Sequence, residues 1–402
     1  MRARSWLLLW RIPAAERLFS LRSALMSARD RLVRLMGVLS GALFSIAWAW
    51  RAFRATPARF SFAVIADVQW ADARDGTNFE KTVRRCFRGA LEVLGLAVAW
   101  WTKLEPPPRF LAQLGDLIDS RNSKAGGMGA ERALEGAQEK LSKLPVALPV
   151  HHVLGNHELT CFSGDRKLLL QHLSRCGEYY AFGAAPGWRC LVLDAFREHT
   201  SWPQGTPEFD RAFKLLCKHN PNVAEGRGGD FFVGLTGDER RWVPFNGGLG
   251  EEQLAWMARE LAAADEAQER VIVFSHVVLH PSACDGKTML WDFEEALAVL
   301  AASRCVAAVM CGHDHKGGYY CDASGVHHLT LCSPLNDGLD GGAFGLVRVY
   351  DDRLEVCGPH LGTLLPSDRN GSSAPSTPLP PLRLLRERLG GEECSVACFA
   401  LR

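Results

Sequence analysis

The sequence carries almost no excess of charge. Its 46 Lys and Arg offset 45 Asp and Glu over 402 residues, leaving +1. No global field therefore draws the protein to nucleic acid or to an acidic partner. The central region also lacks a basic tract or an aromatic–basic interleaving that would supply a local one. Paired zinc-knuckle spacing is absent too. The thirteen cysteines are scattered, mostly inside apolar runs such as "RCVAAVMC". That pattern reads as buried free thiols in a reducing compartment with no disulfide framework; pairing or metal binding by Cys394 and Cys398 is the weaker alternative. The longest uncharged stretch near the start, "MGVLSGALFSIAWAW" over 36–50, is also short. As a helix it reaches roughly 22 Å, against a hydrocarbon core of about 30 Å.

What remains is a globular composition, 47% apolar and 23% charged, in a chain long enough for one large domain with extensions. Residues 1–58 stand apart, with ten arginines against Glu16 and Asp30. Two readings fit them: an organelle transit peptide, amphipathic and acid-poor, or a membrane-associated segment built on 36–50. Both place the protein inside the cell, cytoplasmic or organellar.

From 59 to 365 apolar runs of strand length alternate with helix-period stretches. The runs include "FSFAVIA", "RFLAQLG", "PVHHVLG", "WRCLVLD", "RVIVFSH" and "CVAAVMCG". Helices are expected over 78–101 and in "GEEQLAWMARELAAADE". "HHLTLCS", "AFGLVRVY" and "RLEVCG" read as short late strands. Together they predict an α/β layered sandwich. Residues 198–248, rich in Gly, Arg and Trp with weak periodicity, read as an insertion that walls a pocket. Residues 366–402 read as a Pro/Ser linker and tail, with a short amphipathic helix in the last twenty residues.

Five strand ends carry polar clusters: Asp67 and Gln69 in "ADVQ", Asp116 and Asp119 in "GDLID", Asn156 and His157 in "GNHE", His276 in "FSH", and His313 and His315 in "GHDH". Open α/β sheets place working residues at such ends. Singly, each cluster reads as a cap, a turn or a satisfied core histidine. Converging together, uncompensated carboxylates and imidazoles repel one another and are costly to desolvate. Divalent cations remove that cost, and the donors suffice for two ions, with Asp116 able to bridge them at roughly 3.5–4 Å. Glycines before Asp116, Asn156 and His313 permit tight turns and close approach.

The ordered motifs D-x-Q, GD-x-x-D, GNHE, a lone strand-end His and GH-x-H resemble the calcineurin-like metallophosphoesterases. "DVQ", "GNHE", "YYAFGAAPGWRCLVLDAF", "FNGGLGEEQLAWM", "KTMLWDFEEALAVL" and "CGHDHKGGYYCDASGVHHLTL" are similar to the manganese-dependent ADP-ribose/CDP-alcohol diphosphatases. The likeness covers roughly 60–355.

This resemblance implies a four-layer sandwich of two mixed sheets flanked by helices. It also implies two divalent ions, Mn2+ before Mg2+, Fe or Zn. Asp67, Gln69, Asp116 and His315 would hold one ion, and Asp116, Asn156, His276 and His313 the other. His157 would protonate the leaving group, oriented by Asp119. The implied reaction is cleavage of the phosphoanhydride of a small nucleoside-diphosphate-linked substrate, by hydroxide drawn from a water shared by the metals. Cyclic-nucleotide phosphodiesterase, lipid-headgroup phosphatase and non-catalytic scaffold are the alternatives. Ser120 and Arg121 stand where protein phosphatases usually carry Arg-Gly, which argues against that subgroup.

At position 69 an amide oxygen in place of an imidazole favours a harder ion. Tyr179, Tyr180 and Phe182 are candidates for base stacking or for core. Asn246 and Lys287 are candidates for phosphate contact or, respectively, for a turn and a surface charge. His280 is not expected to be a ligand.

Overall fold

The computed structural model describes residues 57–359, apart from 79, 125, 176, 227–229, 341 and 342, together with 385–389 and 391–401. Within Ala58–Arg402, which forms one compact unit, two sheets stack face to face. The strands of the first are β1 (Phe60–Ile65), β4 (Leu111–Gln113), β5 (Val150–His152), β12 (Gly345–Val349), β13 (Arg353–Gly358), β14 (Leu385–Leu389) and β15 (Glu392–Ala400). They lie in the order β14-β15-β13-β12-β1-β4-β5. The second sheet contains β6 (Tyr180–Ala185), β7 (Trp188–Val192), β8 (Arg270–Phe274), β9 (Val306–Cys311), β10 (Lys316–Cys321) and β11 (His327–Cys332). Its order is β10-β11-β9-β8-β7-β6. A two-strand ribbon pairs β2 (Gly76–Thr77) with β3 (Arg84–Arg85).

Strand β1 shows why the sequence builds layers. All six residues are buried, yet alternate side chains enter different cores. Phe60, Phe62 and Val64 join Phe274, Met310 and Val347 between the sheets. Ala63 and Ile65 face the outer layer with Leu94, Ala97 and Trp101 of the helix Phe87–Trp101. Period-two alternation with both faces apolar requires cover on both faces. On the other sheet, helix Gly250–Glu266 buries Gln253, Met257, Leu261 and Ala264, a stripe at helical spacing. Helix, sheet, sheet and helix are the four expected layers.

Two local expectations are corrected. The helix expected over 78–101 starts only at Phe87. Before it the Asn78 side chain accepts from Thr82 N at 2.8 Å and Val83 N at 2.9 Å, which turns the chain into the ribbon. The last residues form strands where a helix was expected, and they belong to the sheet, not to a tail. β15 pairs with β13 from Arg353↔Ala400 to Gly358↔Ser395. In "EECSVACFA" the residues Cys394, Val396, Ala397 and Phe399 are buried. Trp100 Nε1 donates to Leu389 O at 2.9 Å, tying the hairpin to the helix beneath it. A β-branched and aromatic segment beside an open strand edge satisfies its backbone by pairing.

Most of the described cysteines are buried, and no disulfide joins two of them. The Arg-rich leader and most of the Pro/Ser linker lie outside the described residues. Among the described residues, no helix is long and apolar enough to cross a membrane.

Candidate metal centre

The carboxyl ends of β1, β4, β5, β8 and β9 meet at one edge of the sandwich. Short backbone bonds lace their loops together. Asp67 N donates to Gly115 O at 3.0 Å, Gln69 N to Asp116 O at 2.7 Å, and Gly312 N to His276 O at 3.0 Å. Four of the eight described non-glycine residues with positive φ are Asp67 (52°), Gln69 (45°), Asp116 (53°) and His313 (66°). Strain of this kind concentrates at functional sites because the surroundings over-determine it.

The glycines of the motifs make room for the site's own side chains. A Cβ on Gly115, whose φ is +93°, would stand 2.4 Å from His276 Nδ1, and one on Gly312 would stand 2.4 Å from Asp67 Oδ2. We expect Gly115→Ala to cost at least ~2 kcal/mol in denaturant unfolding, since it adds left-handed strain to a clash that cannot relax cheaply. Wild-type stability in that variant would show that His276 is free to move.

All seven expected metal ligands converge here. Asp116, His276 and His313 offer ligand atoms that all lie within 4.8 Å of one another. His276 Nε2 is 3.3 Å from Asp116 Oδ2, and His315 Nε2 is 3.5 Å from Asp67 Oδ1. His276 Nδ1 lies 2.8 Å from Leu114 O, which only an N–H can face, so Nε2 is the nitrogen turned toward the cluster. It meets His313 Nδ1 at 3.1 Å.

A proton takes up the charge of this group. Burial works against a charged His276, but Asp116 and Asp67 hold its pKa raised to about 10. Burial and the neighbouring His276 keep His313 well below its ordinary value. Burial also lifts Glu158, seconded by Asp116, to about 8.

These residues fit a pair of divalent cations. Asp67 Oδ1, Asn156 Oδ1 and His315 Nδ1 are buried without a hydrogen-bond partner. Such orphan atoms are rare in folded proteins. Carboxylates, an amide oxygen and imidazoles form the mixed oxygen and nitrogen set that suits a first-row divalent ion.

Gln69 departs from its expected pose. Its oxygen accepts from Arg85 Nη1 at 3.0 Å, while its amide nitrogen lies 2.9 Å from both Asp116 Oδ2 and His315 Nε2. The atom on the cluster side is thus a nitrogen, because the half-buried guanidinium claims the oxygen. His157 and Asp119 are also in place, with His157 Nδ1 at 3.2 Å from Asp119 Oδ2 and Nε2 at 3.8 Å from Asp116 Oδ2. Burial lowers the His157 pKa, yet Asp116 and Asp119 leave it raised overall.

A cavity of about 400 Å³ opens over the cluster, lined among others by Arg85, His157, Phe232, Phe245 and Lys287. The segment 198–248 does wall it. Lys287 is no free surface charge, as its Nζ sits 2.5 Å from Glu80 Oε1. Tyr179, Tyr180 and Phe182 are elsewhere. Phe182 stacks on His151 at 3.7 Å, and Tyr179 packs on Trp256 at 4.9 Å. His280 stacks on Tyr320 at 4.3 Å and joins no ligand group.

Sequence reasoning missed Arg85, which the ribbon delivers, and the phenylalanines Phe231, Phe232 and Phe245. The only signal for the latter was the weak periodicity of their segment. Asn246 contacts a site histidine, not open cavity, with Oδ1 2.7 Å from His313 Nε2.

A two-sheet sandwich gathering these donors at its strand ends is the scaffold of a metal-dependent phosphoesterase. The family model for calcineurin-like phosphoesterases matches residues 60–317. A manganese-dependent ADP-ribose/CDP-alcohol diphosphatase from Bos taurus is 37% identical over 74% of this chain and 91% of its own length. The protein of that name from Arabidopsis thaliana is 36% identical over 74% of this chain and 94% of its own. The crystal structure of a dimetal phosphatase from Danio rerio superposes with a TM-score of 0.69 at 35% identity, covering 74% of this chain and 95% of that one. This chain belongs to the calcineurin-like phosphoesterase family.

Proposed function

We infer that the protein hydrolyses the phosphoanhydride bond of nucleoside-diphosphate-linked compounds, ADP-ribose and CDP-alcohols, with two Mn2+ ions as cofactors. The observation that carries the reading is the meeting of two imidazole nitrogens, His276 Nε2 and His313 Nδ1, beside the buried Asp116. The relatives of that name, matched over nine-tenths of their length, support the substrate class.

Asp67, Asp116 and His315 would hold one ion, joined by Gln69 with its amide turned over and Arg85 released. Asp116, Asn156, His276 and His313 would hold the other. Bound there, the two cations supply Lewis acidity toward phosphoryl oxygens and a water acidic enough to ionise near neutrality.

The protein's own groups do the rest. Ser120 N donates to His157 Nδ1 at 2.9 Å and Asp119 Oδ2 lies 3.2 Å from the same atom, so the ring is held by Nδ1 and a proton on Nε2 can be given to the departing oxygen. Arg85 places positive charge on the wall against a diphosphate. Phe232 and Phe245, with ring centroids 6.3 Å apart, offer apolar faces to a nucleobase.

The test is a hydrolysis panel of ADP-ribose, CDP-choline, a cyclic nucleotide and a simple monoester, each with Mn2+, Mg2+ or Zn2+. We expect two phosphomonoester products from the first two, the highest rate with Mn2+, and loss of activity on chelation. Turnover of the cyclic nucleotide or the monoester alone would refute the reading.

A further inference from the structure

The histidine His313 has two ring nitrogens with different duties, and a neighbour outside the five strand-end motifs decides which is which. We propose that Asn246 is a positioning residue that fixes the tautomer of His313 and thereby leaves Nδ1 free for a cation. The proposal rests on the dinuclear reading given above.

Asn246 is fully buried, and all its side-chain contacts are made. Its Nδ2 donates to Arg241 O and to Lys287 O, both at 2.8 Å. Two carbonyl acceptors on that side settle the orientation of the amide, since an oxygen there would face two oxygens. Oδ1 must therefore be the atom 2.7 Å from His313 Nε2. An amide oxygen only accepts, so His313 carries its proton on Nε2 and presents a lone pair at Nδ1. Leu114 O performs the same service for His276 from the opposite side.

The turn that carries Asn246 is held from several directions. Trp291 N donates to Gly247 O at 2.8 Å, and Glu198 and Gly248 exchange backbone bonds at 3.0 and 2.9 Å. The Asp292 carboxylate accepts from Leu249 N at 3.0 Å and Gly250 N at 2.8 Å. A cavity-wall segment is thus locked so that one carbonyl oxygen faces one ring nitrogen.

Without that acceptor the other tautomer becomes the better one. With His276 neutral, Nδ1–H of His313 would donate to His276 Nε2 across the existing 3.1 Å gap, closing with a hydrogen bond the space a cation needs. Outer partners of ligating histidines typically influence metal affinity by 10–100-fold.

The experiment compares full-length wild type with Asn246→Leu and Asn246→Asp. Leucine keeps the volume and removes the acceptor, whereas aspartate keeps the acceptor and loses both donors that pin the turn. Binding of Mn2+ is followed by the electron paramagnetic resonance of the free ion. Ring tautomers are read by nitrogen NMR of metal-stripped, 15N-histidine-labelled protein, with His313 assigned by its absence in His313→Gln.

We expect one of two Mn2+ ions to bind 10–100-fold more weakly in Asn246→Leu and near-normally in Asn246→Asp. In spectra recorded with His276 neutral, the wild-type His313 should show Nε2–H and the leucine variant Nδ1–H. Equal losses in the two variants would mean that Asn246 merely pins the turn, and would overturn the proposal. So would Nδ1–H in the wild type, a result that stands even if a variant fails to fold. A wild type that binds no Mn2+ would instead refute the dinuclear reading, and the tautomer measurement would still decide the role of Asn246.

Discussion

Asp116→Ala is expected to lower kcat/KM on ADP-ribose by at least about 10³-fold and to reduce bound Mn2+ from two ions to one or none. The carboxylate sits where both halves of the donor set meet. Its Oδ2 faces His276 Nε2 at 3.3 Å and the Gln69 amide at 2.9 Å, while Oδ1 accepts from His157 N at 2.9 Å. Interactions that stabilise developing charge at a dry site account for several kcal/mol of barrier, and one shared ligand would serve both cations at once. Metal analysis of the desalted protein, beside initial rates, checks the result. Two retained ions at wild-type affinity would remove Asp116 from the bridging position.

Replacing His157 should separate chemistry from metal binding. We expect His157→Ala to lower kcat by about 10²-fold or more while leaving metal content unchanged. The ring lies at the rim of the cluster with its side chain 21% exposed, and its nearest charged partner is Asp119 at 3.2 Å. The loss should grow with the basicity of the leaving group, because a departing phosphate needs less protonation than a departing alkoxide. Comparing an anhydride with an alkyl ester substrate in wild type and variant measures that trend. If the variant comes off the column without its ions, His157 is holding metal, and the proton-donor role is wrong.

The two variants also distinguish readings of the shifted pKa values. Burial raises the pKa of Asp116, but His276 and His157 draw it well below the usual carboxylate range, and in the structure a protonated His276 balances it. A divalent cation would take over that role and displace the proton, so metal uptake should release protons near neutral pH.

Strand-end donors were legible because they follow continuous apolar runs and are preceded by glycine at Gly115, Gly155 and Gly312. Such local patterns need no knowledge of distant chain. The helix Gly250–Glu266 was legible for the same reason, since its apolar stripe lies wholly within the segment.

Other features depended on contacts far along the chain. Arg85 reaches Gln69 because Asn78 turns a stretch of helical composition into a ribbon. Leu385–Leu389 and Glu392–Ala400 became strands because β13 offered an unpaired edge. Phe232 and Phe245 acquired a purpose only when their segment was laid over the site.

The sequence by itself determined the layered α/β architecture, the seven candidate ligands, His157 and Asp119, since periodicity and strand-end chemistry are encoded within a few residues. Tertiary structure alone decided which way the Gln69 amide faces, which nitrogen of His313 bears the proton, and which aromatic residues line the cavity. Those outcomes turn on hydrogen bonds between residues tens to hundreds of positions apart, and only a folded chain brings such partners within 3 Å.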